Sequence, residues 1–374
     1  MSEISIFEVK TQDDLNHFVK FPMDLYKNNP FFVPSFVNDE KNIWNSDENP
    51  ALSYSEAKKF LAKKNGQIVG RIAVIINHKE EKELGIRKVR FGWIDFIDDL
   101  EVSKALINAA VDFAKEHQIN MIEGPMGFTN LDKAGMLTLG FDKLATMIGI
   151  YNHKYYPEHL EKLGLVKEKE WVEFELKFPE ILPEKVHKFN DLISQKYKLK
   201  VLHFKNKEEI LEYVDPMFDL LDETYKHLST YTPISDEQRK TYKEKYFKLI
   251  DKDFIVCVAD ENNQLVSFAI TMPSYSRALQ KSKGKLLPFG WWYFLQAGRK
   301  NDRANFYLIG IHPDYQRRGV TSIIFKEIWK IFRKKGVKYL ETNPELEDNK
   351  SIQLLWQDYN PVNHKRRRTY SLKF

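Results

Sequence analysis

Hydrophobic and polar positions along the chain alternate between short strand-like runs and longer stretches with helical spacing. Residues 4–9 read as a short strand, and residues 12–21 as a helix that Pro22 interrupts or restarts. Two strand runs, 57–64 and 67–76, are joined by Asn65-Gly66, a hairpin turn signal. Residues 91–97 make the next strand. Residues 101–117 form a helix with Leu106, Ala109, Ala110 and Phe113 on one face. A strand at 119–123, a loop at 124–128 and a helix at 155–163 follow, and two strand-like runs reach Phe178. Pro179 and Pro183 mark a linker.

The pattern then restarts. Residues 199–204 are strand-like. The stretch from Lys205 to Val214 parallels that from Lys10 to Val19, and each continues into a proline, Pro216 and Pro22. Helical segments run to about Ile250. Residues 253–259 and 264–272 form a second hairpin, and a longer segment, 273–302, precedes the next strand. This reads as one fold duplicated and diverged, with domains at 1–180 and 181–374. Generic amphipathic patterning that coincides in the two halves is the competing explanation.

Residues 305–336 carry the strongest local signal. A continuous apolar strand ends at Ile309-Gly310-Ile311, and His312-Pro313-Asp314 breaks it. Gln316-Arg317-Arg318-Gly319-Val320-Thr321 follows. Apolar residues then recur at 320, 323, 324, 328, 331 and 332, until Gly336 stops the helix after basic residues. The first amides of a helix lack internal partners and carry the positive end of its dipole, so phosphate oxygens bind there. Gly319 lets a backbone approach a diphosphate closely, and Arg317 and Arg318 add positive charge. An ordinary strand–turn–helix with a solvated basic corner has the same pattern.

Gln316 to Thr321 resembles the acyl-CoA pyrophosphate loop of the GNAT N-acetyltransferases, Gln/Arg-x-x-Gly-x-Gly/Ala, with Thr321 departing at the last position. Residues 337–342 read as the next strand. Asn349 to Trp356 resembles that family's Asn-x-x-Ala-x-x-Leu-Tyr helix. The likeness covers residues 200–374 and, more faintly, the first half. It implies an α/β fold of two tandem GNAT-like domains, each a mostly antiparallel mixed sheet flanked by helices. It also implies acetyl transfer from acetyl-CoA, as co-substrate, to an amine of a small molecule or peptide, without a metal. By the same likeness the amides of Ile309 and Ile311 polarise the thioester carbonyl, and Asn349 bonds the CoA arm. Asparagine at that point also suits a helix N-cap. The family's proton-donating tyrosine is here Trp356, whose indole cannot replace a phenol. Tyr359 or water then serves as acid, or no protein acid is used. Glu341 is a candidate general base, or else an exposed surface glutamate.

The two halves differ at the turn that matters. In the first, it reads Ile97-Asp98-Asp99-Leu100-Glu101, with neither glycine nor basic residue. Asp98 or Asp99 caps the helix there, and carboxylates repel a diphosphate. If only one half binds the coenzyme, it is therefore the second, and the first is scaffold or acceptor site.

Composition adds bounds. The chain has 374 residues and a net charge of +5 from 58 basic and 53 acidic side chains, which favours anionic ligands without requiring nucleic acid. The single cysteine, Cys257, excludes an internal disulfide and reads as a buried strand thiol. With no leader and no long uncharged apolar run, a cytoplasmic protein without membrane contact is expected, as monomer or homodimer. Within 273–302, the run Leu286 to Leu295 holds nine apolar or aromatic residues around one glycine. It lines an acceptor site, meets a membrane or second copy, or packs in the core. Gly124 to Gly135, with His153, Tyr155 and Tyr156 nearby, is a structured loop or a ligand pocket. Lys365-Arg366-Arg367-Arg368 fits a solvated strand or a contact to the 3′-phosphate of CoA better than a nucleic-acid arm. The alternatives to acetyl transfer are a non-catalytic CoA sensor and an aminoacyl-tRNA-dependent transferase.

Overall fold

A computed structural model describes residues 3–182, 184–226, 233–246 and 251–374. Pro183 of the expected linker and residues 227–232 and 247–250 of the expected helical stretch lie outside the described residues.

The first half runs β1 (Ile4–Glu8), α1 (Gln12–Leu25), α2 (Val37–Asn42), β2 (Ser55–Lys64), β3 (Gln67–Asn77), α3 (His78–Leu84), β4 (Val89–Phe96), α4 (Leu100–Glu116), β5 (Met121–Gly124), β6 (Met136–Leu139), α5 (Tyr155–Lys162) and β7 (Val166–Lys177). The second runs α6 (Glu184–Lys196), β8 (Lys200–Leu202), α7 (Glu208–Tyr225), α8 (Asp236–Tyr246), β9 (Ile255–Ala259), β10 (Leu265–Pro273), α9 (Ser276–Ser282), α10 (Gly290–Arg299), β11 (Arg303–Ile311), α11 (Val320–Lys335), β12 (Tyr339–Glu341), β13 (Glu345–Leu346), α12 (Lys350–Gln353) and β14 (Val362–Lys373).

The hairpin at Asn65-Gly66 forms with both residues left-handed, φ 52° and 78°. Pro22 does not end its helix: α1 continues through it to Leu25. α7 likewise contains Pro216, so the paired prolines of the two halves sit inside equivalent helices. The two runs expected before Phe178 are one twelve-residue strand, β7.

Among the described residues, fourteen strands make one sheet, in the order β1-β2-β3-β4-β5-β14-β7-β12-β11-β10-β9-β8, with β6 on β14 and β13 on β7. The halves exchange strands in the middle. β7, from the first half, pairs with β12 of the second. β14, from the second, pairs with β5 and β7 of the first. One core lies beneath α4, around Leu106, Ala110 and Phe113. Another lies beneath α11, which buries Val320, Ile323, Ile324, Phe325, Ile328 and Phe332. Cys257 is fully buried in β9, and burial raises its thiol pKa.

The basic run at 365–368 is half buried, and all four of its cations are paired with carboxylates. Lys365 and Arg367 are each 1% exposed. Lys365 pairs with Glu341, and Arg367 with Glu173. Arg366 meets Glu347 at 2.8 Å and Glu170 at 3.1 Å, and Arg368 meets Glu161 at 3.2 Å. The alternation of a strand placed these cations on both faces of a central position, which only carboxylates on the neighbouring elements make tolerable.

Candidate active site

β11 and β12 run parallel for three residue pairs only, Arg303 with Tyr339 through Asn305 with Glu341. Beyond them the strands part. At the same level β11 carries one extra residue against β10, between Phe306 and Leu308, so Tyr307 is bulged. The parted edge is partly satisfied by side chains. Asn343 Nδ2 donates to the Tyr307 carbonyl, Tyr225 Oη to that of Ile309 at 3.2 Å and Thr224 Oγ1 to that of Ile311 at 3.3 Å. The gap opens into a cleft of about 2310 Å³ lined by both halves, including Phe36, Trp93 and Met126 from the first and Tyr225, Ile309, Glu345 and Trp356 from the second.

Past Ile311, the turn presents Gln316, Arg317 and Arg318 exposed. Arg317 and Gly319 are left-handed, with φ 59° and 83°. Gly319 is the N-cap of α11 and so offers no capping side chain. Arg318 lies over the rings of Tyr197 and Tyr315, at 5.5 and 5.9 Å. Gln316 Nε2 donates to the Ile311 carbonyl at 3.2 Å. Of the residues singled out in the sequence, Ile309 and Asn349 line the cleft. Gln316, Arg317, Arg318, Gly319, Val320 and Thr321 stand together on the β11–α11 turn, outside the cleft-lining set. Asn349 caps α12, its Oδ1 accepting from the Ile352 amide at 3.5 Å.

Three comparisons bear on this arrangement. Residues 215–357 match the Acetyltransferase (GNAT) family. A tandem GNAT protein from the clavulanic acid biosynthesis pathway superposes over 99% of this chain and 98% of its own, with TM-score 0.57 at 10% identity. A GCN5-related N-acetyltransferase from Sphaerobacter thermophilus does so over 99% and 95%, with TM-score 0.54 at 7% identity. Residues 215–357 thus carry the GNAT match, and the chain as a whole has the fold of a tandem GNAT protein. Among proteins of similar sequence are protein YghO of Escherichia coli K12, 25% identical over 96% of this chain and 93% of that one. The bacterial ceramide synthase of Caulobacter vibrioides is 22% identical over 99% and 97%.

The two halves share the bulge and the parting, and they differ in what fills it. β4 pairs with β5 for two residues, Val89 with Ile122 and Arg90 with Glu123. Its bulge lies between Gly92 and Asp95, where Trp93 is left-handed, φ 46°. Here the loop after β5 closes the gap. The Met126 amide donates to the Phe91 carbonyl at 2.9 Å, and any Cβ on Gly92 would strike the Met126 carbonyl. The helix that follows, α4, is capped by Asp99, whose carboxylate accepts from the Glu101 amide and meets Lys64 at 2.5 Å. That hydrogen bond from Lys64 is the largest cause of the lowered Asp99 pKa. An anionic cap therefore occupies the place where α11 has glycine.

The two catalytic candidates read from the sequence sit in structural roles. Burial would raise Glu341, but Lys365 and His364 outweigh it and hold its pKa at about 2, too low for a useful base near neutrality. Tyr359 stacks on Phe178, centroids 5.2 Å apart, and packs on Phe325 at 5.3 Å, away from the cleft-lining residues. Trp356 is 1% exposed and edge-on to Phe306 and Phe325, as a packed aromatic should be. Its Nε1 also donates to Glu345 Oε1 at 2.7 Å.

Glu345 and Tyr225 went unnoticed in the sequence. Burial, with the Glu173 charge adding to it, lifts Glu345 to about 8, and its Oε2 is a buried atom with no hydrogen-bond partner among the described residues. Tyr225, also in the cleft, is raised by burial and by Glu345 to about 12. The one available signal was Asn343-Pro344-Glu345 shortly after β12, a carboxylate placed at the start of β13 just past a proline break.

Proposed function

We propose that the chain is an N-acyltransferase that moves an acyl group from an acyl-CoA thioester to the amine of a lipid-like acceptor. The cleft carries this reading. Its 2310 Å³ is more than twice the roughly 1,000 Å³ at the upper end of small-molecule sites. Apolar side chains of both halves face it. Acetyl-CoA, the donor implied by the family likeness, is the smallest thioester this space would take; longer acyl chains fit its size better. The similarity to a bacterial ceramide synthase supports a long-chain amine as acceptor.

In this reading the second half, 181–374, is the acyl-CoA domain, and the first, 1–180, walls the acceptor side. Arg317, Arg318 and the amides of Val320 and Thr321 hold the diphosphate, with Gln316 bracing the turn and Gly319 leaving the helix start without a capping side chain. The amides at Ile309 and Ile311 face the thioester carbonyl, and Asn349 reaches the pantetheine arm. The amine nitrogen bonds to the carbonyl carbon and releases a proton to Glu345. The C–S bond breaks, and the same proton passes to the thiolate, leaving an amide and free CoA thiol. A carboxyl near 8 is close to an ordinary thiol at about 8.5, so the return costs little. Tyr225, at about 12, holds its proton too tightly to compete and positions the β11 edge.

Thiol release tests the proposal, with acetyl-, octanoyl- and palmitoyl-CoA each offered to short soluble amines and to long-chain amino alcohols. Amine-dependent release that grows with chain length on both substrates is expected. Release no faster than hydrolysis with every amine would refute the enzyme reading and leave a CoA sensor.

A further inference from the structure

The run from Leu286 to Leu295 is surface, not core. Leu287 is 77% exposed and Phe289 72%, with Leu286, Trp291, Trp292 and Leu295 each near half. The segment is nonetheless held firmly. Gly284 accepts from the Val37 amide at 3.1 Å, Gln280 donates to the Pro30 and Phe32 carbonyls, and Phe294 stacks on Phe36 at 5.2 Å. Gly290 is buried against α9. The inner side of α10 thus anchors it, and the outer side offers Trp292 and Leu295 beside the Leu286–Phe289 turn.

The charge around this face is one-sided. Residues 276–300 contain six basic side chains, Arg277, Lys281, Lys283, Lys285, Arg299 and Lys300, and no acidic one, in a chain with 53 carboxylates. The face also continues into the cleft: Lys285, Leu286, Leu287, Trp291, Leu295 and Arg299 line it.

We propose that this face docks on the surface of an anionic lipid bilayer and sets the cleft mouth against it. Indole and phenyl groups on an amphipathic helix with flanking cations suit the headgroup boundary, where apolar rings enter the acyl layer and ammonium groups meet lipid phosphates. No helix among the described residues is long and apolar enough to cross a membrane, so the attachment is peripheral. The proposal departs from the expectation of no membrane contact; of the readings open for the run 286–295, its exposure favours a membrane surface over core packing. The purpose of the docking rests on the proposed function, since a chain-bearing amine or thioester would pass from bilayer to cleft without crossing water. The docking itself does not depend on turnover.

The test is therefore vesicle binding without substrate. The full chain is mixed with vesicles of phosphatidylcholine alone or with 30 mol% phosphatidylglycerol (roughly the range of anionic membranes), and the bound fraction is read by flotation. Binding to the anionic vesicles at least about ten-fold above the neutral ones, weakened by salt, is expected. Phe289→Ser with Trp292→Ser should cut it about ten-fold, as should Lys281→Gln with Lys283→Gln. None of these four side chains lines the cleft, so thiol release with a soluble short-chain donor and amine should be unchanged. Equal binding by wild type and the aromatic variant, or none by wild type at low salt, would overturn the proposal. So would a dimer that the variant turns into a monomer without vesicle binding, which would make the face a self-association surface. Loss of thiol release with vesicle binding intact would count against the acyltransferase reading alone.

Discussion

At the scale of single residues, two glutamates four positions apart have opposite surroundings. Glu341 faces Lys365 and His364 and is held near 2; Glu345 faces an indole and another carboxylate and is lifted to about 8. Their sequence neighbourhoods do not differ enough to predict this, because Glu345 is raised mainly by burial, with Glu173 adding to it, and Glu341 is lowered by Lys365 and His364, all set by how the strands pair. Glu345→Gln should lower thiol release by about 10²–10⁴-fold, the usual span for a lost proton-transfer group, and abolish a rise in rate through pH 8. Stability should move the other way. A carboxyl raised from 4.5 to about 8 in the folded state contributes stability below its unfolded pKa and loses it as pH climbs to 8. Thermal melts from pH 5 to 9 should therefore show Glu345→Gln gaining on wild type as pH rises. A parallel pair of melting curves would show that Glu345 carries no such shift. Glu341→Gln should strand Lys365, only 1% exposed, and destabilise the protein by about 3–5 kcal/mol, measured by denaturant midpoint.

At the scale of elements, most strands and helices were readable from periodicity, because each has one buried and one solvated face. Partings and bulges were not, since they depend on where a neighbouring strand stops pairing. The contrast between the two helix starts was readable: Asp99 caps α4 and Gly319 opens α11, as the two turns suggested. Asp99→Ala should cost about 1 kcal/mol and leave acyl-CoA affinity untouched. Gly319→Glu should weaken that affinity at least about ten-fold by calorimetric titration, through the negative charge it places at the helix start. Equal affinity in that variant would remove the diphosphate seat from the β11–α11 turn. The run at 286–295 was misleading in the other direction. Its hydrophobicity matches a core segment, and only the chain around it decides that its outer side stays uncovered.

At the scale of the whole molecule, the duplication was legible and the exchange of strands was not. Nothing local in 166–177 or 362–373 announces a partner nearly two hundred positions away. The exchange predicts that residues 1–180 expressed alone will lack a stable fold, because β5 and β7 lose β14. Adding residues 181–374 in trans should restore native circular dichroism; a well-folded isolated first half would contradict this. β14 also has a meaning in time. The ribosome delivers it after every other described element, so earlier segments wait with two open, pairing-competent edges. A chain stalled before Val362 would carry both edges into a crowded cell, where they invite neighbours. β14 thus buries both edges in a single event, and copies that stop short of it expose their own unfinished sheet.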